Sequence, residues 1–147
     1  ITNINKEKIC TKFGQLLHIS ASQIAGDLVG NLEDHGFKVH REVLYTANVA
    51  KNLQSDTVVA LKKAQIDAVL LYSPRTAITL IDLIKKEKLE KFCKKITIFC
   101  LSLSVAKAAR ELDWGGVEVS EQPNQLDLLK LLESWSSRGN TKKIIKP

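Results

Sequence analysis

No methionine occurs anywhere in the 147 residues, and the chain begins with Ile1. A translation product starts with Met, so a fragment or a processed product is expected. Aromatic residues make up 5%, prolines number three, and the three cysteines are Cys10, Cys93 and Cys100. That odd count, without CxxC spacing, suggests neither a disulfide framework nor a zinc site. Cys100 sits in an apolar run and is expected as a buried thiol. No apolar stretch approaches the roughly 20 residues needed to span a bilayer, and Ile1-Thr2-Asn3-Ile4 lacks the charged-then-apolar start of a signal peptide. No glycine-rich dinucleotide fingerprint follows a strand and no P-loop is present, so nucleotide-binding readings have no motif. A soluble protein of the cytoplasm, without a membrane partner, is the expectation.

What is present is a globular composition, 44% hydrophobic and 26% charged, which excludes disordered, collagen-like and coiled-coil classes for the whole chain. Twenty-two Lys and Arg against sixteen Asp and Glu leave a net charge of +6, a balance that favours an acidic ligand or partner. Short apolar runs bounded by turn residues predict strands over 15–20, 37–46, 67–72, 95–101 and 117–119. The run 67–72 is continuous enough to be buried on both faces of a parallel sheet.

Between these runs, apolar residues at three- and four-residue spacing predict helices. One runs from Ser22 through Ile24, Leu28, Val29 and Leu32 and stops at Gly36, which supplies a left-handed cap. The next starts at Ser55 or Asp56 and carries Val58, Leu61 and Ala64. A third opens on Pro74 at its first turn and carries Ile78, Ile81, Leu83 and Ile84. Two more cover 105–112 and 126–132. Lysines crowd an expected loop over 85–95, and 136–147 reads as a loose basic tail. The alternation predicts an α/β fold, a mostly parallel flavodoxin-like or Rossmann-like sheet with helices on both faces and right-handed crossovers.

Hydroxyl residues recur where strands end: Ser20, Tyr45 with Thr46, Tyr72 with Ser73, Ser102 after Leu101, and Ser120 after Val119. Ligands of open α/β sheets bind outside those carboxyl ends, where helix N-termini present free N–H groups suited to carboxylates or phosphates. Serines are also the preferred helix caps and would stand there without any ligand. His18, His35 and His40 fall on a strand interior, a helix end and an alternating strand, with no pattern of a catalytic triad. No metal-binding cluster is apparent, and no strand-end Asp offers a phospho-acceptor. A hydroxyl-rich, basic cleft for an anion remains.

The segments Asp67-Ala68-Val69-Leu70-Leu71-Tyr72-Ser73-Pro74-Arg75-Thr76-Ala77, Phe99-Cys100-Leu101-Ser102-Leu103-Ser104-Val105-Ala106 with Ala109 to Trp114, and Val117 to Pro123 resemble the second half of the uroporphyrinogen-III synthase family. Upstream, Leu16 to Ser20, Leu32 to Val39 and Glu42 to Thr46 fit the same order, so the resemblance covers 15–135. It implies an enzyme that removes the hydroxyl of hydroxymethylbilane, inverts the last pyrrole ring and closes the macrocycle to uroporphyrinogen III, without metal or cofactor. The eight carboxylates of that substrate agree with the positive charge. The resemblance places Tyr45 in the cleft as a general acid for loss of the hydroxyl. It assigns substrate carboxylates to Ser20, Ser73 with Pro74, Arg75 and Thr76, Ser102 with Ser104, and Gln122.

Family members often carry Gly-Pro-Thr-Thr where this chain has Ser102-Leu103-Ser104-Val105, so the donors of that loop differ. Two α/β lobes joined by a connector are implied. Residues 1–14 would be a remnant, 15–46 would belong to one lobe and the connector, 47–135 would form the second lobe, and 136–147 the tail. A fragment of this kind leaves sheet edges exposed, and association with another copy is expected. The alternative is a non-catalytic anion-binding module of the same fold. Few aromatics interleave the lysines of 85–95 and the tail, as a stacking platform would require, and no nucleic-acid partner is expected.

Overall fold

The computed structural model describes residues 14–24 and 26–140; the expected remnant 1–14, apart from Gly14, and the tail beyond 140 lie outside them. The chain divides into two compact units, residues 1–49 and 50–147.

In the first unit, β1 (Gln15–Ala21) and β2 (Lys38–Tyr45) pair in parallel around α1 (Leu28–Asp34). Residues that face each other across a parallel pair share a face. Leu16 opposite Val39 and His18 opposite Arg41 thus form one row, and Leu17 opposite His40 and Ile19 opposite Glu42 the other. The helix expected from Ser22 begins six residues later. Gly26 adopts φ +77°, outside helical space, and Asp27 is the cap, its carboxylate accepting from the Gly30 N–H at 2.9 Å. Its C-terminus follows the sequence reading. Gly36 at φ +85° turns the chain while its N–H and that of Phe37 bond back to Glu33 and Leu32, a Schellman closure.

The second unit holds β3 (Ala68–Leu71), β4 (Thr97–Cys100) and β5 (Gly116–Val119) in a parallel sheet of order β3-β4-β5. Its helices are α2 (Ser55–Lys62), α3 (Pro74–Lys86), α4 (Glu90–Cys93), α5 (Leu103–Ala109) and α6 (Gln125–Trp135). Alternation along the strands splits the core in two. Val69, Leu71, Ile98, Cys100, Val117 and Val119 pack with α3 and α5 residues such as Ile81, Ile84, Val105 and Ala109. Ala68, Leu70, Phe99 and Leu101 pack with Leu128, Leu131, Leu132 and Trp135 of α6. Helices therefore cover both faces, as the alternation predicts. The expectation that 67–72 is buried on both faces fits β4 better than β3. Ile98, Phe99 and Cys100 are inaccessible, whereas β3 is half-buried over Ala68 to Leu70 because it lies at the sheet's edge.

Other boundaries differ from the sequence reading, and the helix expected over 105–112 is α5, Leu103–Ala109. The segment 85–95 contains α4, anchored by the buried Leu89, Cys93 and Ile96. Four of its lysines are engaged: Lys85 and Lys94 with Glu111 and Asp113, Lys86 with the Lys51 carbonyl and Asn52, and Lys91 over the Phe92 ring. Ala64 and Lys88 lie past helix ends at φ +51° and +55°, so α2 stops two residues before Ala64. Ser136–Asn140 continues α6 as a π-helical turn, where the sequence suggested a loose tail.

Candidate functional site

At the carboxyl end of the first unit's strands, Ser20 and Tyr45 line one open cavity of about 320 Å³ with His18, Ile24, Gly26 and Leu28. The register steps between Ser20 and Ala21, so that Ala21 pairs with Tyr45; this irregularity re-aims the strand end, as bulges near binding sites do. Tyr45 is 63% exposed, while Ser20 is buried. Arg41 explains that burial. Its Nε donates to Ser20 Oγ at 2.9 Å, and its Nη2 donates to the carbonyls of Ala21 at 2.9 Å and Ser22 at 3.1 Å. One guanidinium thereby fixes the backbone that rims the cavity and sets a permanent positive charge beside it.

The second unit gathers its hydroxyls along one sheet edge. Leu71, Cys100 and Val119 stand in register, so the residues after them form a row. Leu101 N–H donates to Leu71 O, and Ser120 N–H donates to Cys100 O. Ser73 caps α3: its Oγ accepts from the Thr76 N–H at 3.1 Å and lies 2.8 Å from Thr76 Oγ1. Pro74 and Arg75 occupy the first turn behind that cap. Ser102 Oγ and Ser104 Oγ lie 2.9 Å apart, and Ser102 Oγ accepts no capping bond from the main-chain N–H groups of α5. Ser120 is buried, with its Oγ 2.8 Å from Leu101 O and 2.9 Å from Gln122 O. It ties the end of β5 to that of β4 and uses the main chain of Gln122.

Chemically, the row offers hydroxyl and main-chain donors suited to carboxylate oxygens. Beneath it lies Cys100, whose thiol burial pushes up against the opposing effect of Arg110. Cys93 is pushed up to about 11, first by burial and then by Glu90. Protonated, inaccessible thiols of this kind are inert. Among the described residues, no group of three or more His, Cys, Asp or Glu is placed to hold a metal ion.

The uroporphyrinogen-III synthase HemD family matches residues 6–130. This chain belongs to the uroporphyrinogen-III synthase family. No curated protein matches it at a significant level. Membership connects the chain to tetrapyrrole biosynthesis and to a small-molecule tetrapyrrole substrate. Among the described residues, no helix is long and apolar enough to cross a membrane. Within this synthase family member, Ser20 and Tyr45 line one cavity of the first unit, while Ser73 to Thr76, Ser102 with Ser104, and Gln122 follow the ends of adjacent strands in the second. Sequence reasoning missed Arg41 and passed over His18 as a strand-interior residue. Both stand on the more buried row of the strand pair, opposite each other in the register. An arginine and a histidine among apolar strand positions were the available signal.

Proposed function

We propose that the chain performs the chemistry of uroporphyrinogen-III synthase, cyclising hydroxymethylbilane with inversion of its terminal ring to uroporphyrinogen III. The family match over residues 6–130 carries this reading. In it, the Tyr45 phenol gives its proton to the departing hydroxyl, which leaves as water, and the positive charge left behind spreads over the conjugated pyrrole. Tyr45 suits that role because its phenol is exposed at the cavity. A positioned general acid typically contributes about 10² to 10⁴-fold.

Ser20, held by Arg41, and the hydroxyls of Ser73, Thr76, Ser102 and Ser104 with the main-chain N–H of Arg75 receive the substrate's carboxylates, with Pro74 shaping the first turn and Gln122 beside them. The net charge of +6 draws a polyanion toward the protein. The buried free thiols Cys93 and Cys100 accord with a cytoplasmic setting. Self-association belongs to the same proposal: Leu17 and Ile19 of β1 and Leu44 of β2 are 62%, 49% and 63% exposed, an apolar surface that a second copy can cover.

The test is a cyclisation assay on hydroxymethylbilane with the type I and type III products separated. Formation of the type III isomer above the spontaneous type I background is the expected result. Tight binding of the tetrapyrrole without type III product supports the non-catalytic anion-binding module instead.

A further inference from the structure

His18 belongs to the wall of the cavity that holds Ser20 and Tyr45. Its ring is partly exposed, yet Nδ1 is fully buried with no hydrogen-bond partner. A neutral imidazole carries one N–H donor and one bare acceptor, and a buried N–H without an acceptor is rarer in proteins than an unfilled acceptor. A neutral ring therefore keeps its proton on Nε2, the ring nitrogen left at the accessible side. Across the strand pair stands Arg41, whose bonds to Ser20, Ala21 and Ser22 set its charge behind the lining residues Ser20 and Ala21. Ser20 Oγ already accepts from Arg41 Nε, which frees its own O–H to donate. Two donors, Nε2–H and Oγ–H, thus belong to one cavity beside a fixed cation.

We propose that His18 is a substrate-binding residue whose Nε2–H donates to a carboxylate of the tetrapyrrole; this rests on the reading that the substrate occupies the cavity of Tyr45. A carboxylate is the matching ligand because it only accepts, and charge-assisted bonds are the strong ones. The cavity's volume lies at the lower end for small-ligand sites, so it holds one pyrrole with its acid arms while the rest of the molecule extends beyond it.

The experiment compares His18→Leu and His18→Gln with the unaltered chain, measuring KM and kcat for hydroxymethylbilane and Kd for uroporphyrin III, the stable oxidised octa-acid. Losing a hydrogen bond to a charged group should raise KM and Kd by about tenfold or more in His18→Leu, with kcat within about threefold. His18→Gln keeps an N–H near the Nε2 position and should restore most of the affinity, which a purely structural role would not predict. Should His18→Leu fail to fold, His18→Asn replaces it, since its shorter amide ends near the Nδ1 position and should bind as weakly. Unchanged KM and Kd in the folded variant, or no rescue by Gln, overturns the role of His18 alone. An unaltered chain that neither turns over nor binds the tetrapyrrole overturns the functional reading and this one with it.

Discussion

Replacing Phe99 by Ala tests whether the α6 side of the second unit is a separate and thinly stocked core. Phe99 is inaccessible at the centre of the central strand, and its ring meets Trp135 edge to face at 5.5 Å and 79°. Among the described residues, Leu128 and Trp135 are the other buried members of that cluster. Truncation of a buried Phe costs about 3–5 kcal/mol, and the lost aromatic pair about 0.5–1.5 kcal/mol of that kind of total. With so few neighbours able to close the gap, a loss near 4 kcal/mol is expected. That is a large share of the roughly 5–15 kcal/mol that holds a domain together, and it lowers Tm by roughly 15 to 30 °C.

The two tryptophans provide the assay, because Trp114 packs in the α3 and α5 core and Trp135 in the α6 core. Urea unfolding followed by fluorescence in Trp114→Phe and Trp135→Phe backgrounds reads the two sides of the sheet separately. Phe99→Ala should loosen the Trp135 signal at lower urea than the Trp114 signal. Phe99→Leu, which keeps most of the volume, should cost under about half as much. A loss below 1 kcal/mol for Phe99→Ala, or coincident and unshifted transitions, would refute the division of the core.

Tyr45→Phe should lower kcat by about 10² to 10⁴-fold with an unchanged urea midpoint, since the ring is largely exposed; wild-type turnover in a cyclisation assay would remove Tyr45 from the mechanism. Lys88→Gly should stabilise the protein by about 0.5–1 kcal/mol, because Lys88 holds φ +55° at the Schellman end of α3, a conformation costly for a residue with a Cβ; thermal melts decide it. Cys93 is held up to about 11 by burial, so the folded thiol stays protonated while the unfolded one ionises from its ordinary value of 9.0. Its stabilisation is complete below pH 9 and is lost as pH rises toward 11, by about 1.4 kcal/mol per unit. Chemical unfolding between pH 8 and 11 should show that fall in the parent and a shallower one in Cys93→Ala; parallel slopes would count against it.

Local rules carried much of the fold. Pro74 after Ser73 announces a helix start, and the structure puts Ser73 at the cap with its hydroxyl on the Thr76 N–H. Gly36 announces a helix end for an equally local reason, its freedom at positive φ. The same rules carried α2 through Ala64, which lies past its end, because the Schellman bonds there force a residue with a side chain into left-handed space. The lysines of 85–95 masked α4, whose existence depends on Leu89, Cys93 and Ile96 finding the core.

By itself the sequence determined the alternation of strand and helix, the family, the positive charge and the strand-end hydroxyls, since periodicity, composition and motif order are properties of neighbours along a chain. Only the tertiary structure decided which strand is central, which side of the sheet each apolar residue serves, and that Arg41 reaches across β1 to hold Ser20. It also decided that His18 buries one ring nitrogen without a partner in the cavity of Tyr45. Those are relations between residues about twenty or more positions apart, set by strand register and packing, which no local pattern encodes.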